Sequence, residues 1–317
     1  MSPSRAWDIL GVGDADVDLF LEVERLPGRD EKVMAEYLGE YPGGVVANFC
    51  CAASRLGSRT ALATVVGEDR YGRMAISDLE AHLVDTSLVK IRPNGRTYFC
   101  MVHLDSTGEK ALTVVKTDCM FPEWSDLDPE SFAHARLVHL MASNPSLATQ
   151  VAREARAQGT LVSLDLEPGG ASHGLLALRE LLGNVDLVFP NEAGLSALTG
   201  EDLVSGARQI LRLGPRAVVV TMGSKGSMIL AEDTASHISS FRVPVVDTTG
   251  AGDCFNGAFV TGFLRGWDLA RCGEFASAAA AFSIGKVGAR SALPSHDEVE
   301  RFLKERSADR VLQRGEK

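Results

Sequence analysis

Hydrophobic and polar positions change their rhythm along this chain, and each change predicts an element. Val17 to Val23 alternates apolar with acidic residues, the period of a strand with one wet face. Glu36 to Tyr41 is predicted as its partner, ahead of the turn at Pro42. Tyr98 to Leu104 and Ala111 to Lys116 flank the polar, glycine-containing stretch Asp105 to Lys110, a hairpin pattern. These segments read as a small sheet outside the main core. Elsewhere short apolar runs alternate with helical periods. Trp7 to Val12, Leu137 to Met141, Leu161 to Leu166, Val185 to Phe189 and Ala217 to Thr221 read as buried strands. Leu147 to Gln158, Gly174 to Leu182, a segment ending at Leu198, and Val204 to Leu213 read as helices between them. Such alternation predicts a parallel sheet covered by helices, with ligands beyond the carboxyl ends of the strands.

Three further helices are predicted: Val45 to Leu56 with Gly57 as its C-cap, an apolar helix ending at Leu264, and a small-residue helix over Phe275 to Ile284. Phe241 to Val246 is an extended, β-branched run and is predicted as a strand. Gly285 to Pro294 reads as a loop and Asp297 to Lys304 as a final amphipathic helix, followed by a charged, mobile tail.

Composition narrows the class. The chain has 317 residues, 45% hydrophobic and 23% charged, enough for one large α/β domain or two smaller ones. A net charge of −10 sets aside nucleic acid and anionic membrane as main partners. No apolar run approaches the ~20 residues of a membrane span. Met1 to Trp7 holds no hydrophobic signal core, so a cytoplasmic location is expected. The six cysteines form no C-x-x-C pair and read as buried, reduced thiols. The histidines include no H-E-x-x-H, so no zinc site is indicated.

The densest chemistry is Asp247-Thr248-Thr249-Gly250-Ala251-Gly252-Asp253. The residues after it have the spacing of a buried helix, so the glycines form a tight turn into a helix start. Gly250 and Gly252 admit close backbone approach, and the first-turn N–H groups favour an anion. Asp253 beside such a hole suits a general base acting on an attacking hydroxyl. A capped turn is the plainer reading of Gly-x-Gly-Asp alone. Other motifs fail. Gly11-Val12-Gly13 lacks the third glycine of a dinucleotide fingerprint, where Asp16 stands. Asp14, Asp16 and Asp18 begin like a calcium loop, but Leu19 and Arg25 occupy its glycine and glutamate positions. No G-x-x-x-x-G-K-[ST] stretch is present.

The run from Asp247 to Asp253 resembles the D-T-x-G-A-G-D signature of the ribokinase-like (PfkB) carbohydrate kinases. Gly43-Gly44-Val45-Val46-Ala47-Asn48 resembles that family's first glycine signature, and Thr221-Met222-Gly223-Ser224-Lys225-Gly226 its nucleotide loop. The resemblance runs from Ile9 to Pro294. It implies a three-layer α/β/α fold with a mostly parallel central sheet and a small β-sheet lid. One kinase domain would span 1–317, with the lid formed from about 14–41 and 97–116.

By the same resemblance Asp253 is the catalytic base, and Gly250, Ala251 and Gly252 form the anion hole. Asp14, Asp16, Gly43, Gly44 and Asn48 would bind the sugar. Asp14 stands where ribokinases carry Asn, and Val45-Val46 replaces their Lys-Gly, which puts ribose itself in question. Asn191, Thr221, Gly223, Ser224, Gly226, Gly252 and Ser277 would bind the nucleotide. The cofactors implied are ATP and Mg²⁺, with K⁺ near Asp247 and Thr249. The acceptor would be a small sugar or polyol, phosphorylated at a primary hydroxyl, and the lid offers a homodimer surface. The family's N-x-x-E glutamate is missing, because position 194 is Gly194. A Gly194→Glu change is expected to ease capture of Mg²⁺. A nucleoside kinase shares these signatures, and Tyr98 or Phe99 is its candidate base-stacking aromatic. A catalytically weakened ligand sensor is the alternative from another class.

Overall fold

The computed structural model describes residues 5–105, 110–232 and 234–315, with side chains as far as 306. The chain opens with β1 (Trp7–Val12), leaves the core for β2 (Asp16–Val23) and β3 (Ala35–Gly43), and returns through α1 (Val45–Arg55) to β4 (Thr60–Gly67). Then come α2 (Arg70–Ala81) and β5 (Val89–Arg92), followed by β6 (Phe99–Leu104) and β7 (Lys110–Val115). The second half runs β8 (Ala135–Met141), α3 (Pro145–Ala157), β9 (Leu161–Leu166), α4 (Pro168–Ala171), α5 (Leu175–Gly183), β10 (Leu187–Pro190), α6 (Glu192–Thr199) and α7 (Leu203–Leu211). It closes with β11 (Ala217–Thr221), β12 (Ser227–Ala231), β13 (Ala235–Ile238), α8 (Ala251–Leu264), α9 (Leu269–Ser283) and α10 (His296–Gly315).

Nine strands form one sheet in the order β13-β12-β11-β10-β9-β8-β1-β4-β5. It is parallel from β5 to β11, and only β12 and β13 run against it. Successive strand residues point to opposite faces, and both faces are buried. Ile9, Leu62, Leu137 and Val219 pack into a core with side chains of α1, α8 and α9. Leu10, Ala61, Val138 and Val218 pack into the other, with α3, α5 and α7. This is the three-layer α/β/α arrangement. β2, β3, β6 and β7 make a separate sheet in the order β3-β2-β6-β7, with β2 parallel to β6 and the outer pairs antiparallel. The two segments expected to pair, β2 and β3, do so with Leu19 opposite Glu40. The hairpin turn expected between β6 and β7 falls at 106–109, outside the described residues.

Several expectations need correction. Phe241 to Val246 is not a strand. Pro244 offers no N–H to a ladder, Val245 and Val246 are more than half exposed, and Val246 and Asp247 both donate backbone N–H groups to the Ile284 carbonyl. The turn at Gly250 is therefore anchored to the end of α9, not to a sheet strand. α9 starts at Leu269, earlier than the small-residue run showed, because Asp268 caps it by accepting from Arg271 N. α2, which the apolar pattern did not mark, is capped in the same way by Asp69. The last helix is longer than Asp297 to Lys304, and the side chains of the expected mobile tail lie outside the described residues.

Candidate active site

The start of α8 sits where the carboxyl ends of the central strands meet the small sheet. Gly250 is its N-cap in the left-handed conformation (φ 74°). A Cβ there would also lie 2.6 Å from the Ala289 Cβ, so the turn requires glycine. Gly252 is different: a Cβ at that position would meet no protein atom within 4 Å. Nothing in the fold demands glycine at 252, and the space it leaves opens on two adjoining cavities. The helix's first N–H groups have no intrahelical partner and face the end that favours an anion. Asp253, in that first turn, accepts a hydrogen bond from Asn48 Nδ2 at 2.8 Å. Burial, then the charge of Glu167, push its carboxyl up to about 8.

One cavity, of about 450 Å³, lies between α8 and the small sheet. It is lined by six carboxylates: Asp14, Asp16, Asp18, Asp165, Glu167 and Asp253. Asp14 reaches across to cap α1, accepting from Val46 N at 3.0 Å, because the N-cap residue Gly44 has no side chain to do so. Gly44 itself has φ 97°, and a Cβ there would strike the Ala15 backbone at 2.8 Å. Gly43 leaves room for the carboxylates of Asp16 and Asp18, which a Cβ would displace. Asp16 Oδ2 accepts from the Cys100 thiol at 3.6 Å, while Asp16 Oδ1 is buried with no protein partner. Burial and the charges of Asp18 and Asp14 hold Asp16 well above the usual carboxylate range, and burial pushes Asp18 up to about 6. Asp165, at the end of β9, accepts from Asn256 Nδ2 at 2.6 Å, leaving Asn256 Oδ1 buried and unpartnered. Burial, reinforced by Glu167, raises Asp165, and burial raises Glu167 itself.

Two cations balance this acid. Arg290, from the loop after α9, is buried and donates to Asn48 Oδ1 at 2.8 Å, to Asp78 Oδ2 at 2.6 Å and to the Gly43 carbonyl. Lys110, on β7, is the only basic residue among those described that line the cavity. Its ammonium donates to Thr249 Oγ1 at 2.8 Å and lies 3.8 Å from Asp247 Oδ1. Asp247 also accepts from Thr249 N and Gly288 N, both at 2.9 Å, tying the turn to the following loop. The pair expected beside a potassium ion thus already has a protein cation next to it.

The second cavity, of about 860 Å³, runs from the same turn along α9 and the β11–β12 connection. Thr221, Gly223, Ser224, Gly226, Gly252 and Ser277 all line it. Among the described residues its walls carry no carboxylate; Ala280, Ala281, Ile284 and Val243 supply an apolar side, and Lys225 and Arg242 are its charged members. The two cavities share Thr221, Thr248 and Gly252.

Asn191 is the exception among the expected nucleotide residues. It lines the carboxylate-rich cavity, and its Oδ1 caps α6 by accepting from Gly194 N at 2.6 Å. Gly194 has a structural reason: a Cβ there would collide with the Leu166 carbonyl oxygen. The expected gain from Gly194→Glu does not survive this packing. Glu192 lines neither cavity; its carboxylate meets Lys225 at 3.1 Å. The acid that reaches the site is Glu167, from the neighbouring β9 end.

A model of the family described as "pfkB family carbohydrate kinase" matches residues 8–296. The chain belongs to this family. It is 33% identical over 319 residues to a ribokinase of Arabidopsis thaliana, covering 95% of this chain and 82% of that protein. A nucleoside kinase of Methanothermobacter thermautotrophicus is 30% identical, covering 95% of this chain and 97% of that protein. The solved structure of the Arabidopsis ribokinase complexed with ribose and ATP superposes with a TM-score of 0.85 at 30% identity, covering 94% of this chain and 99% of that one. The fold is accordingly ribokinase-like, and among the described residues no helix is long and apolar enough to cross a membrane.

Sequence reasoning missed Asp18, Lys110, Asp165, Glu167, Asn256 and Arg290. Asp165 had a local signal, an acid at the carboxyl end of an apolar strand, where parallel sheets place ligands. Arg290 had none, since a lone arginine in a loop normally reads as solvated.

Proposed function

We propose that the chain transfers the γ-phosphoryl group of ATP to a primary hydroxyl of a small, uncharged carbohydrate. The observation that supports this most is the position of Asp253, a proton acceptor at a turn shared by a carboxylate-lined cavity and a groove with no acid among its described lining residues. In this reading the acceptor occupies the first cavity, where the buried Asp16 Oδ1 awaits a donor. The nucleotide occupies the groove. Asp253 takes the hydroxyl proton, and the N–H groups at 250 and 252 receive charge on the phosphoryl oxygens, while the Ala251 N–H donates to the Thr248 carbonyl at 3.3 Å. Mg²⁺ fits the donor set of Asp165 and Glu167, hard carboxylates beside the unpartnered Asn256 oxygen, and when bound it neutralises phosphate charge. Lys110, already at Thr249, supplies positive charge near the turn, so potassium serves at most to order the 285–294 loop.

The carboxylates bear on the acceptor class. At an effective dielectric of about 20, a phosphate held about 5 Å from one carboxylate meets roughly 3 kcal/mol of repulsion per charge pair. Where these carboxyls are ionised, an acceptor already carrying phosphate or carboxylate is therefore disfavoured, and Asp253, held up to about 8, adds its repulsion only toward that pH; one relative, from Halopiger xanaduensis, is named an ATP-dependent ribose-1-phosphate kinase. A nucleoside acceptor remains the second reading, because Tyr98 and Phe189 line the same cavity and offer ring faces; Phe99 instead packs on Tyr71. The reading includes one kinase domain with the small sheet as its lid, a homodimer through that sheet, where Met34 and Tyr37 are exposed, and a cytoplasmic site suited to six free, buried cysteines. The test is an ATP-consumption assay over pentoses, hexoses and nucleosides, each beside its phosphorylated form. Turnover confined to uncharged acceptors is expected, and equal turnover of the phosphorylated forms would contradict the assignment.

A further inference from the structure

Arg290 is a buried cation near Asp253 and does not line the cavity where the acceptor would sit. Its three nitrogens each have a partner: Nε donates to Asn48 Oδ1, and the terminal nitrogens donate to Asp78 and to the Gly43 carbonyl. A guanidinium only donates, so the Asn48 atom facing it must be the oxygen. The Asn48 nitrogen is then turned the other way, where it donates to Asp253 Oδ2. Without the guanidinium, Asn48 could rotate its amide and set an oxygen against the carboxylate, which would repel it.

We propose that Arg290 is a positioning residue for Asp253, acting through the Asn48 amide that it holds in one orientation. The proposal rests on Asp253 being the base. Its charge acts alongside its geometry. Asp253 faces acids from several elements: Glu167 and Asp165 at the end of β9, and Asp14 between β1 and β2. Asn48 and Arg290 oppose them and favour the ionised carboxylate. Around Arg290 itself stand Asp78 from α2, with His82 just beyond that helix against Asp78, Cys51 from α1, Asp14 between β1 and β2, and Asp16 and Asp18 from β2, while Lys110 from β7 acts on Asp18. The four-residue chain Asp78–Arg290–Asn48–Asp253 thus links α2, the loop after α9, α1 and α8.

The test is the pH dependence of kcat/KM for the acceptor in the parent, Arg290→Gln, Arg290→Lys and Asp78→Asn enzymes, with thermal unfolding run alongside. Removing the cation in Arg290→Gln should move the acid limb up by about one pH unit, the usual effect of a near opposite charge. Its kcat should fall about tenfold or more from the released amide, since small misplacements are costly. Arg290→Lys keeps the charge and loses the fork, so its limb should stay near the parent's while kcat falls. Asp78→Asn leaves the guanidinium charge less balanced and should move the limb down. A purely structural role would not move the limb in opposite directions. An unmoved limb or an unchanged kcat in Arg290→Gln would overturn the proposal. If that variant does not fold, a limb in Asp78→Asn that stays or rises would do so. A fully active Asp253→Asn enzyme would overturn this proposal and the base assignment together, whereas an unmoved limb beside an inactive Asp253→Asn enzyme overturns this proposal alone.

Discussion

The two cavities that meet at Gly252 are built from opposite materials. The smaller is made of side chains: six carboxylates, two asparagines engaged by them, and a lysine. The larger is made mostly of glycine, small residues and apolar walls, and has no acid among the described residues. A polyanionic nucleotide needs space, N–H groups and freedom from negative charge, which short glycine-rich stretches supply. A hydroxyl acceptor needs directed oxygen acceptors and a base, which only particular side chains supply. Chemistry on one side therefore rests on side-chain identity, and on the other on backbone shape.

Substitutions at the junction should separate the two. The largest effect is expected at Asp253. Asp253→Asn should lower phosphoryl transfer by about 10²–10⁴-fold and leave nucleotide affinity nearly unchanged, because the groove does not contain that side chain. Equal losses of turnover and nucleotide binding would blur the division. Next comes Gly252→Ala. The added methyl meets no protein atom, so thermal stability should hold while turnover falls by about 10²-fold through crowding of the bound phosphates. A variant with parental turnover would show that the junction has room to spare. At Lys110, replacement by Met should slow transfer about tenfold, equivalent to ~1.4 kcal/mol of lost charge stabilisation, and should make the rate respond to potassium. Rates that stay indifferent to potassium would mean that Lys110 does not occupy the role of that ion.

The last effect is read in stability rather than in rate. The Asp253 carboxyl is pushed up to about 8 in the folded protein and titrates near 4 when unfolded. Between those values the folded state keeps a proton that the unfolded chain has shed, so this group lowers stability as pH rises through the window. Asn does not titrate. The thermal midpoint of Asp253→Asn should therefore gain on the parent from about pH 4 and level off above about 8. Comparing the two proteins cancels the opposite trend from His139, which burial holds at about 3. Parallel curves would show that the cavity does not hold the proton.

The same contrast explains what the sequence disclosed. The groove was legible because its residues come in contiguous strings, Thr221 to Gly226 and Gly250 to Gly252, whose spacing carries the meaning. The parallel sheet was legible because strands buried on both faces read as apolar runs between helices. The acceptor cavity was mostly hidden. Asp18, Lys110 and the Asp165–Glu167 pair reach it from three places in the chain, and apart from the position of Asp165 at a strand end no local pattern distinguishes them from ordinary surface charges. Gly194 misled for the related reason that its neighbour across space, the Leu166 carbonyl, is invisible in sequence. Phe241 to Val246 misled because β-branched residues favour strands, while Pro244 and the anchor at Ile284 decide otherwise.

The central claim is that the groove delivers a phosphoryl group to a hydroxyl held in the carboxylate cavity. It is tested most directly by ³¹P NMR of the protein with ATP, Mg²⁺ and a panel of uncharged sugars and nucleosides. The account predicts growth of a phosphomonoester signal split by the two protons of a primary carbon, in step with loss of the γ-phosphate signal. Release of inorganic phosphate alone, or saturable ATP binding with no new signal from any acceptor, would contradict it.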